Sequence, residues 1–402
     1  MSIRQRLYPS EGQAAAMLEH AQQARFVYNI GLEQRSLWTE QRRYYTQKVT
    51  YVTQAAQLAE LRAELDWLRA GSSVVQQGAL RDLDQAFQRF FKGLAGHPQF
   101  KKRTSRAGSF VVRDLTMRRV GKKWGEVLVP KVGYVRFRLS RSWADVQAAT
   151  SARISIKHGC WHVALTAVPG AKLSPGTGEM TGIDRGVANT VATSDGEFFQ
   201  APILTGGEKA RFLALERRFA RQTKGSLRRE RTLDSLAELR LTLDNRRTDW
   251  IEQTTTTLAR RYDHVALEKL QIRNMVKRVA PKPDSEDPGV FLPNGQAAKS
   301  GLSRAIHASC WGKFATRLGH KTNTVFVNPI NTSRECNSCH DVSPDNRKSQ
   351  AVFECQACGF QAHADTNAAQ NILDRSLATP NPGTPGVRTL KPRKSRVNRL
   401  AA

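Results

Sequence analysis

The sequence predicts a multidomain α+β protein, because the character of its 402 residues changes several times along the chain. Apolar residues at three- and four-residue spacing indicate a helical lobe in residues 10–96, after a short strand in residues 1–9. Short β-rich runs separated by Gly, Pro and basic residues then indicate a small, mostly antiparallel β-domain in residues 97–178. Two Cys-x2-Cys pairs near the carboxyl end indicate a metal-binding module.

Residues 179–335 combine strand and helix patterns. TGIDRGVANTVATSDGEFF alternates apolar and polar residues and predicts an antiparallel meander. An Arg-rich helical stretch follows at 207–262, and Gly225 with Ser226 is expected to divide it into a hairpin. The remaining elements are predicted as follows: HVALEKL as a buried strand, 280–301 as a mobile loop, a helix near 303–320 and the strand TVFVNP.

The charge of the chain predicts a polyanionic partner. It carries 63 Lys and Arg against 35 Asp and Glu, a net charge of +28, and the excess is spread along the sequence. Such an excess costs self-repulsion unless phosphates relieve it, so we expect nucleic-acid binding. The alternative is a basic surface that only faces solvent.

The sequence offers no membrane signal. No run approaches the roughly 18 apolar residues of a membrane helix. The start, MSIRQRLYPSEGQ, lacks the apolar core of a signal peptide. We therefore expect no membrane partner and a cytoplasmic protein, associated with the nucleoid in a prokaryote or nuclear if the host has a nucleus.

The cysteine unit predicts a zinc ribbon in residues 336–360. Its spacing is Cys336-x2-Cys339, fifteen residues, then Cys355-x2-Cys358, which suits four thiolates around one ion. Such a closed site has no open position for catalysis. Iron or a redox dithiol pair are the alternatives. His340 stands where Gly is usual in such turns and is not expected to be a fifth ligand.

Three acidic residues stand in unusual places. Asp184 lies inside an apolar strand, Glu268 lies near the end of a buried-looking strand, and Asp365 begins a helix. Separately, Asp184 could pair with Arg185 or another Arg, Glu268 could be a surface charge at a strand end, and Asp365 could be an N-cap. Together they could converge on hard cations such as Mg²⁺ or Mn²⁺, which favour oxygen ligands and can assist phosphodiester hydrolysis as a pair of ions.

GIDRG, LEKL, the CxxC…CxxCG unit and HADTNAAQNI, in that order, resemble the RuvC-type RNase H core of TnpB proteins. These are RNA-guided nucleases of insertion sequences and presumed ancestors of type V CRISPR effectors. RLYPSEGQ with ARFVYNIGL resembles the family's N-terminal signature, and ALRDLDQAFQRFF resembles its helical lobe. With QIRNMVKR after Glu268, the resemblance covers most of residues 1–375.

The resemblance implies an RNase H-like nuclease core in residues 179–335 and 361–375, interrupted by the zinc ribbon. It implies that Asp184, Glu268 and Asp365 are the catalytic, magnesium- or manganese-binding triad.

The resemblance also assigns the N-terminal regions. Residues 1–9 and 97–178 would form a wedge-like, small β-barrel-like domain. With the helical lobe, this domain would hold a guide RNA and read a short motif in double-stranded target DNA. Tyr51 and Gln77 fall where motif-reading residues would be expected. Residues 376–402, rich in Pro, Gly and basic residues, predict a disordered tail.

The sequence therefore predicts an RNA-guided, metal-dependent DNA endonuclease associated with a transposon. One alternative is a guided DNA-binding repressor that has lost cleavage, whose expected mark is a damaged triad, and no such damage is present. The other is a guide-free, structure-specific nuclease, which the long basic N-terminal lobes argue against.

Overall fold

The structure is a computed structural model that describes residues 2–41, 49–102, 108–157, 159–166, 173, 175–287 and 289–378. The chain divides into two compact units. The first unit comprises 1–170 with 204–245, and the second unit comprises 171–203 with 246–402.

The first unit contains a seven-stranded antiparallel sheet in the order β2-β6-β7-β1-β5-β4-β3. The first strand of the chain therefore lies in the centre of this sheet. The two edge strands, β2 and β3, do not pair with each other, so the predicted barrel-like domain is not a closed barrel. The strands are β1 (Ser2–Tyr8), β2 (Gly108–Arg113), β3 (Met117–Arg119), β4 (Trp124–Val129), β5 (Gly133–Arg138), β6 (Ser151–Lys157) and β7 (Cys160–Thr166).

The apolar residues of the first five helices form one core with those of the sheet. In the fourth helix, Val75, Ala79, Leu83 and Phe87 recur every fourth residue and are all buried, which is the spacing of one helix face. The Ser72 side chain caps its first turn. The helices are α1 (Glu11–Gln41), α2 (Tyr51–Glu64), α3 (Asp66–Ala70), α4 (Ser73–Phe91), α5 (Trp143–Gln147), α6 (Gly206–Arg221) and α7 (Leu227–Arg261), the last of which continues into the second unit.

The second unit contains a five-stranded mixed sheet in the order β10-β9-β8-β11-β12. The first three strands form the predicted antiparallel meander, whereas β11 pairs in parallel with both β8 and β12. Burial on both faces explains why β11 reads as a continuous apolar run. The strands are β8 (Met180–Asp184), β9 (Val191–Thr193), β10 (Phe198–Phe199), β11 (His264–Glu268) and β12 (Asn323–Val327).

The rest of the second unit joins and follows these strands. The helices α8 (Ile272–Met275), α9 (Gln296–Ala308) and α10 (Trp311–Lys321) connect β11 to β12. After them come the cysteine unit, with a 3-10 turn at Pro344–Asn346 and the hairpin β13 (Val352–Glu354) and β14 (Gln361–His363), and finally α11 (Ala364–Ala378).

Three predicted boundaries differ from the structure. The helix expected near 303–320 is two helices, because Cys310 has φ 57° and this left-handed conformation ends a right-handed helix. The first of them, α9, begins at Gln296, inside the stretch predicted as a loop at 280–301. At the carboxyl end, α11 continues three residues beyond the predicted boundary at 375, and the tail from 379 onward lies outside the described residues.

In the part of the chain that the structure describes, no helix is both long enough and apolar enough to cross a membrane.

Candidate active site

Three structural elements bring the three predicted carboxylates to one edge of the second unit's sheet. Strands β8 and β11 run parallel with Ile183 opposite Leu267, so Asp184 and Glu268 follow on neighbouring strands at the same carboxyl edge. Helix α11 packs against both strands, and Asp365 lies in its first turn. The carboxyl edge of parallel strands is where ligand sites form in open α/β sheets.

A glycine lets α11 lie directly on β8. A Cβ atom added to Gly182 would stand 2.0 Å from the carbonyl oxygen of Ala369 and 2.7 Å from the amide nitrogen of Leu373. Both atoms belong to the backbone of α11, so a side chain at position 182 would push the whole helix away. The absence of a side chain at this position therefore sets the distance between Asp365 and the strand that carries Asp184.

The carboxylates crowd one another. Asp365 is 1% exposed and Glu268 is 7% exposed. Burial, together with the charges of Glu268 and Asp365, raises the pKa of Asp184 to about 7. Burial also raises the pKa of Glu268, against the opposing hydrogen bond from Thr332. A bound cation would relieve the repulsion between buried acids of this kind.

Residues that the sequence did not single out hold these carboxylates. Asn189 Nδ2 donates to Asp365 Oδ2 at 2.9 Å, and Arg347 Nη2 donates to Asp365 Oδ1 at 3.0 Å. The Thr332 hydroxyl donates to Glu268 Oε1. All three partners lie outside the regular helices and strands, so no periodic pattern could have pointed to them.

These contacts decide between the separate explanations for each acid. The Asp365 side chain accepts from Asn189 and Arg347, and no cap to a backbone N–H of α11 is found among the described residues. Glu268 is buried and is not a surface charge. Arg185 adjoins Asp184 but donates its Nη2 to the backbone oxygen of Glu268, so it ties the two strand ends together.

The four thiols of the cysteine unit form one compact cluster. All four Sγ atoms lie within 4.8 Å of one another. Cys336 Sγ and Cys358 Sγ are 3.7 Å apart, and Cys339 Sγ and Cys355 Sγ are 3.5 Å apart. A tetrahedral zinc with Zn–S bonds of about 2.3 Å would need S···S separations of about 3.8 Å, so the cluster fits a metal ion of that size.

His340 is a residue of the first turn and lies outside the cluster. Its φ is 62°, the left-handed conformation that Gly359 adopts at the corresponding place in the second turn with φ 71°. This geometry explains why Gly is usual at such a position. The imidazole is 64% exposed and lies 3.3 Å from Glu335 Oε1.

In the described part of the chain, the cysteines are the one group of metal-ligand residues with all ligand atoms within 4.8 Å. The three carboxylates are not a second such group among the described residues, and Arg347 donates to Asp365 while Thr332 donates to Glu268.

Two asparagines of α11 connect the cysteine unit to the carboxylates. Asn367 accepts from the Asn337 backbone N–H at 3.0 Å and donates to the Glu335 backbone oxygen at 2.8 Å. Asn371 donates to the backbone oxygens of Thr332 and Glu335 at 2.9 and 2.7 Å. Because Thr332 also donates to Glu268, a continuous set of hydrogen bonds runs from the first cysteine turn to Glu268.

The predicted motif-reading residues lie in the first unit. Tyr51 begins α2, and its hydroxyl accepts from Arg81 Nε at 2.8 Å. Gln77 is exposed on α4, four residues before Arg81, and therefore lies on the same face of that helix.

We expect Cys336→Ser and Cys358→Ser to lose the bound metal and to lower the melting temperature of the protein. Metal binding and local folding are coupled in such clusters, so the carboxyl-terminal region should be the first to open. Elemental analysis and thermal melting measure the two effects. Cys160→Ser is the matched control, since Cys160 lies in β7 of the first unit. Wild-type protein without zinc would contradict the zinc assignment.

Family models match three stretches of the chain. A model described as "Probable transposase" matches residues 166–279, one described as "Cas12f1-like, TNB domain" matches 311–372, and one described as "Helix-turn-helix domain" matches 1–44. In the described part of residues 1–44, the structure forms the strand β1 and one helix, α1.

Curated relatives cover most of the chain. The "Putative RNA-guided DNA endonuclease" of Streptomyces pristinaespiralis is 30% identical over 386 residues, which are 94% of this chain and 89% of the relative. The "Putative RNA-guided DNA endonuclease InsQ" of Escherichia coli (strain K12) is 29% identical over 307 residues, 74% of this chain and 73% of the relative. A solved structure titled "Cryo-EM structure of the Cas12f1-sgRNA-target DNA complex" matches with a TM-score of 0.48 at 12% identity, covering 89% of this chain and 81% of that chain.

The mixed sheet with its acidic edge and the four-thiol cluster define a protein with two separate candidate metal sites. The extent and identity of the match to the Streptomyces relative show the family. The chain belongs to the TnpB family.

Proposed function

We propose that the protein is a transposon-associated, RNA-guided and metal-dependent DNA endonuclease that cuts target DNA beside a short adjacent motif. The observation that carries this proposal is the convergence of Asp184, Glu268 and Asp365 at one sheet edge, with the pKa of both Asp184 and Glu268 raised. The names of the curated relatives support it.

In this proposal, residues 179–335 and 361–375 form an RNase H-like core. Its three carboxylates would hold Mg²⁺ or Mn²⁺, because carboxylate oxygens suit these hard cations. The repulsion between the carboxylates also favours the binding of a cation. Bound metal would stabilise the attacking and leaving oxygens of the phosphodiester. Asn189 and Arg347 orient Asp365, and Thr332 orients Glu268, so these side chains set the direction of the ligand oxygens.

The cysteine cluster takes a structural role in the proposal. Four thiolates would hold Zn²⁺ in a closed site, and residues 336–360 would form the zinc ribbon. Because Asn367 and Asn371 bind the first cysteine turn to α11, the ribbon would steady the start of the helix that carries Asp365.

The remaining regions would hold nucleic acid. Residues 1–9 and 97–178 would be the wedge-like domain and 10–96 the recognition lobe, with Tyr51 and Gln77 reading the adjacent motif. Base pairing with the guide RNA would read the target, as in other guided nucleases. A DNA target would place the protein in the cytoplasm at the nucleoid, and the basic residues after α11 would add nonspecific attraction.

A repressor without cleavage would need the same binding surfaces but no acidic edge. All three acids are present and close together, which favours the nuclease.

The decisive experiment identifies the guide and then uses it. RNA that co-purifies with the full chain is sequenced, and a plasmid matching its variable end is incubated with the complex and Mg²⁺. We expect a double-strand cut that disappears in a chelator and with a non-matching plasmid. Absence of a specific co-purified RNA, or cutting that ignores the guide sequence, would contradict the proposal.

We expect nucleic-acid affinity to fall steeply with salt concentration. The net charge of +28 implies many phosphate contacts, and each adds about 0.9 to the log–log slope for duplex DNA. Fluorescence anisotropy over a salt series, with a catalytically inactive variant, measures the slope. A nearly flat response would assign the positive charge to another role.

A further inference from the structure

The first unit contains a cavity of about 640 Å³ that has no part in the carboxylate site. It lies among α1, β1, β2, β6, β7 and the segment that follows α4. Its volume falls in the range of about 300–1,000 Å³ that ligand pockets usually have. Five cationic side chains line it, and the described residues of its wall include no Asp or Glu: Arg4, Arg25, Lys101, Lys102 and Lys157.

Lys101 is the most constrained of these cations. Asn29 holds its backbone from both sides, with Nδ2 donating to the Lys101 oxygen at 2.9 Å and Oδ1 accepting from its N–H at 2.8 Å. Its Nζ stands 3.7 Å from the ring centroid of Tyr28. Burial lowers the pKa of Lys101 to about 8, which means that its charge is poorly compensated.

The neighbouring charges leave the cavity positive. Asp82 is the carboxylate that acts on Lys101, but both of its oxygens accept from Arg153 Nη2, at 2.9 and 2.8 Å. Lys157 pairs with Asp244 at 2.6 Å. No ion pair of Arg4, Arg25, Lys101 or Lys102 is found within the described ranges.

The same positive field reaches β7, which neighbours β1 in the sheet. Burial lowers the pKa of His162 to about 4, and the charges of Arg4, Arg6 and Lys157 lower it further. The side chains of Leu18, Ala21, Ile156 and Ala164 add apolar wall to the cavity. The site therefore combines cations with surface on which a base or a sugar can pack.

We propose that this cavity binds one unpaired nucleotide of a nucleic-acid strand, with a backbone phosphate beside Lys101 and the base or sugar against Leu18 and Ala164. The cavity is far larger than a simple anion needs, whereas a base-paired duplex cannot enter it. Unstacked nucleotides of single strands and bulges are the form in which proteins take bases into pockets. The proposal deepens the proposed function and rests on it for the identity of the strand, which would be guide RNA or the opened target DNA.

The test measures binding by the full-length protein without divalent metal. The probes are short fluorescein-labelled single strands of RNA and of DNA with one sequence, and the DNA duplex of that sequence. Lys101→Met removes the half-buried charge, Lys102→Met removes an exposed charge of the same cavity, and Ala164→Phe fills the cavity without changing charge. Lys209→Met is the matched control, because Lys209 is exposed on α6 of the same unit.

We expect Lys101→Met, which removes a charge beside the phosphate, and Ala164→Phe, which fills the space for the base or sugar, each to weaken binding of at least one single strand on the order of tenfold, about 1.4 kcal/mol. Duplex binding should change by less than about twofold, and so should all binding by Lys209→Met. A loss confined to RNA assigns the site to the guide, and a loss confined to DNA assigns it to the target strand.

Two outcomes would overturn the proposal. One is single-strand binding at the wild-type level in Ala164→Phe, Lys101→Met and Lys102→Met, with melting temperatures that show folded protein. The other is an equal loss for single strands and duplex, which would make the lysines ordinary surface charges. Because no cleavage is measured, failure here leaves the endonuclease proposal standing, and failure of cleavage leaves this binding result intact.

Discussion

Asp184→Asn, Glu268→Gln and Asp365→Asn should each reduce DNA cleavage by at least about a hundredfold while the protein keeps its guide and target binding. Each substitution removes one carboxylate charge from the acidic edge and preserves the size of the side chain. Cleavage of a guide-matched plasmid at saturating Mg²⁺, with binding followed by anisotropy, separates the two effects.

Asp184→Asn should not be destabilised in metal-free buffer. The pKa of Asp184 is raised by burial and by the charges of Glu268 and Asp365, so an uncharged amide at position 184 removes repulsion. We expect an equal or higher melting temperature for Asp184→Asn, a common trade between stability and function at such sites. Asp287→Asn, an exposed residue in the same unit, is the control and should cut normally. Full activity in all three variants would remove these acids from the mechanism.

Gly182→Ala should abolish cleavage without touching a carboxylate. The new Cβ would lie 2.0 Å from a backbone oxygen of α11 and 2.7 Å from a backbone nitrogen, distances that only movement of the helix can relieve. Asp365 would move with α11, away from Asp184. Overpacking of this kind typically costs about 1–3 kcal/mol and occasionally more, so the melting temperature should fall as well.

Gly301→Ala is the matched control for this variant. Gly301 lies in α9 of the same unit, and a Cβ there would have nothing within 4 Å. Because Ala favours helix over Gly, we expect equal or slightly higher stability and normal cleavage. A Gly182→Ala protein that melts and cuts like wild type would show that α11 does not depend on this close approach.

Local patterns predicted most of the elements of the second unit. The meander of β8, β9 and β10 and the buried strand β11 follow from alternation and from a short apolar run. The division of α9 from α10 did not follow, because the apolar spacing continues across the break. The left-handed conformation of Cys310 that separates them is set by packing and has no sequence signal of its own, since Cys is not a residue that favours it.

In the first unit, the order of the strands along the chain did not indicate their order in the sheet. Residues 2–8 form a central strand between β7 and β5, although more than a hundred residues separate them from those partners. The β-rich runs indicated strands but could not say whether the sheet would close. Pairing of distant strands depends on which faces the helices cover, and an open sheet is the result here.

What the sequence by itself determined is the set of ligand types. Two Cys-x2-Cys turns bring thiols together through local geometry alone, and two acids in apolar strands with a third at a helix start suggested a shared site, which the family resemblance also implies. Only the tertiary structure decided how the acids are held. Asn189 and Asp365 are 176 residues apart, and Arg185 and Glu268 are 83 apart. Contacts over such separations arise when β8, β11 and α11 pack together, and residue spacing carries no information about them.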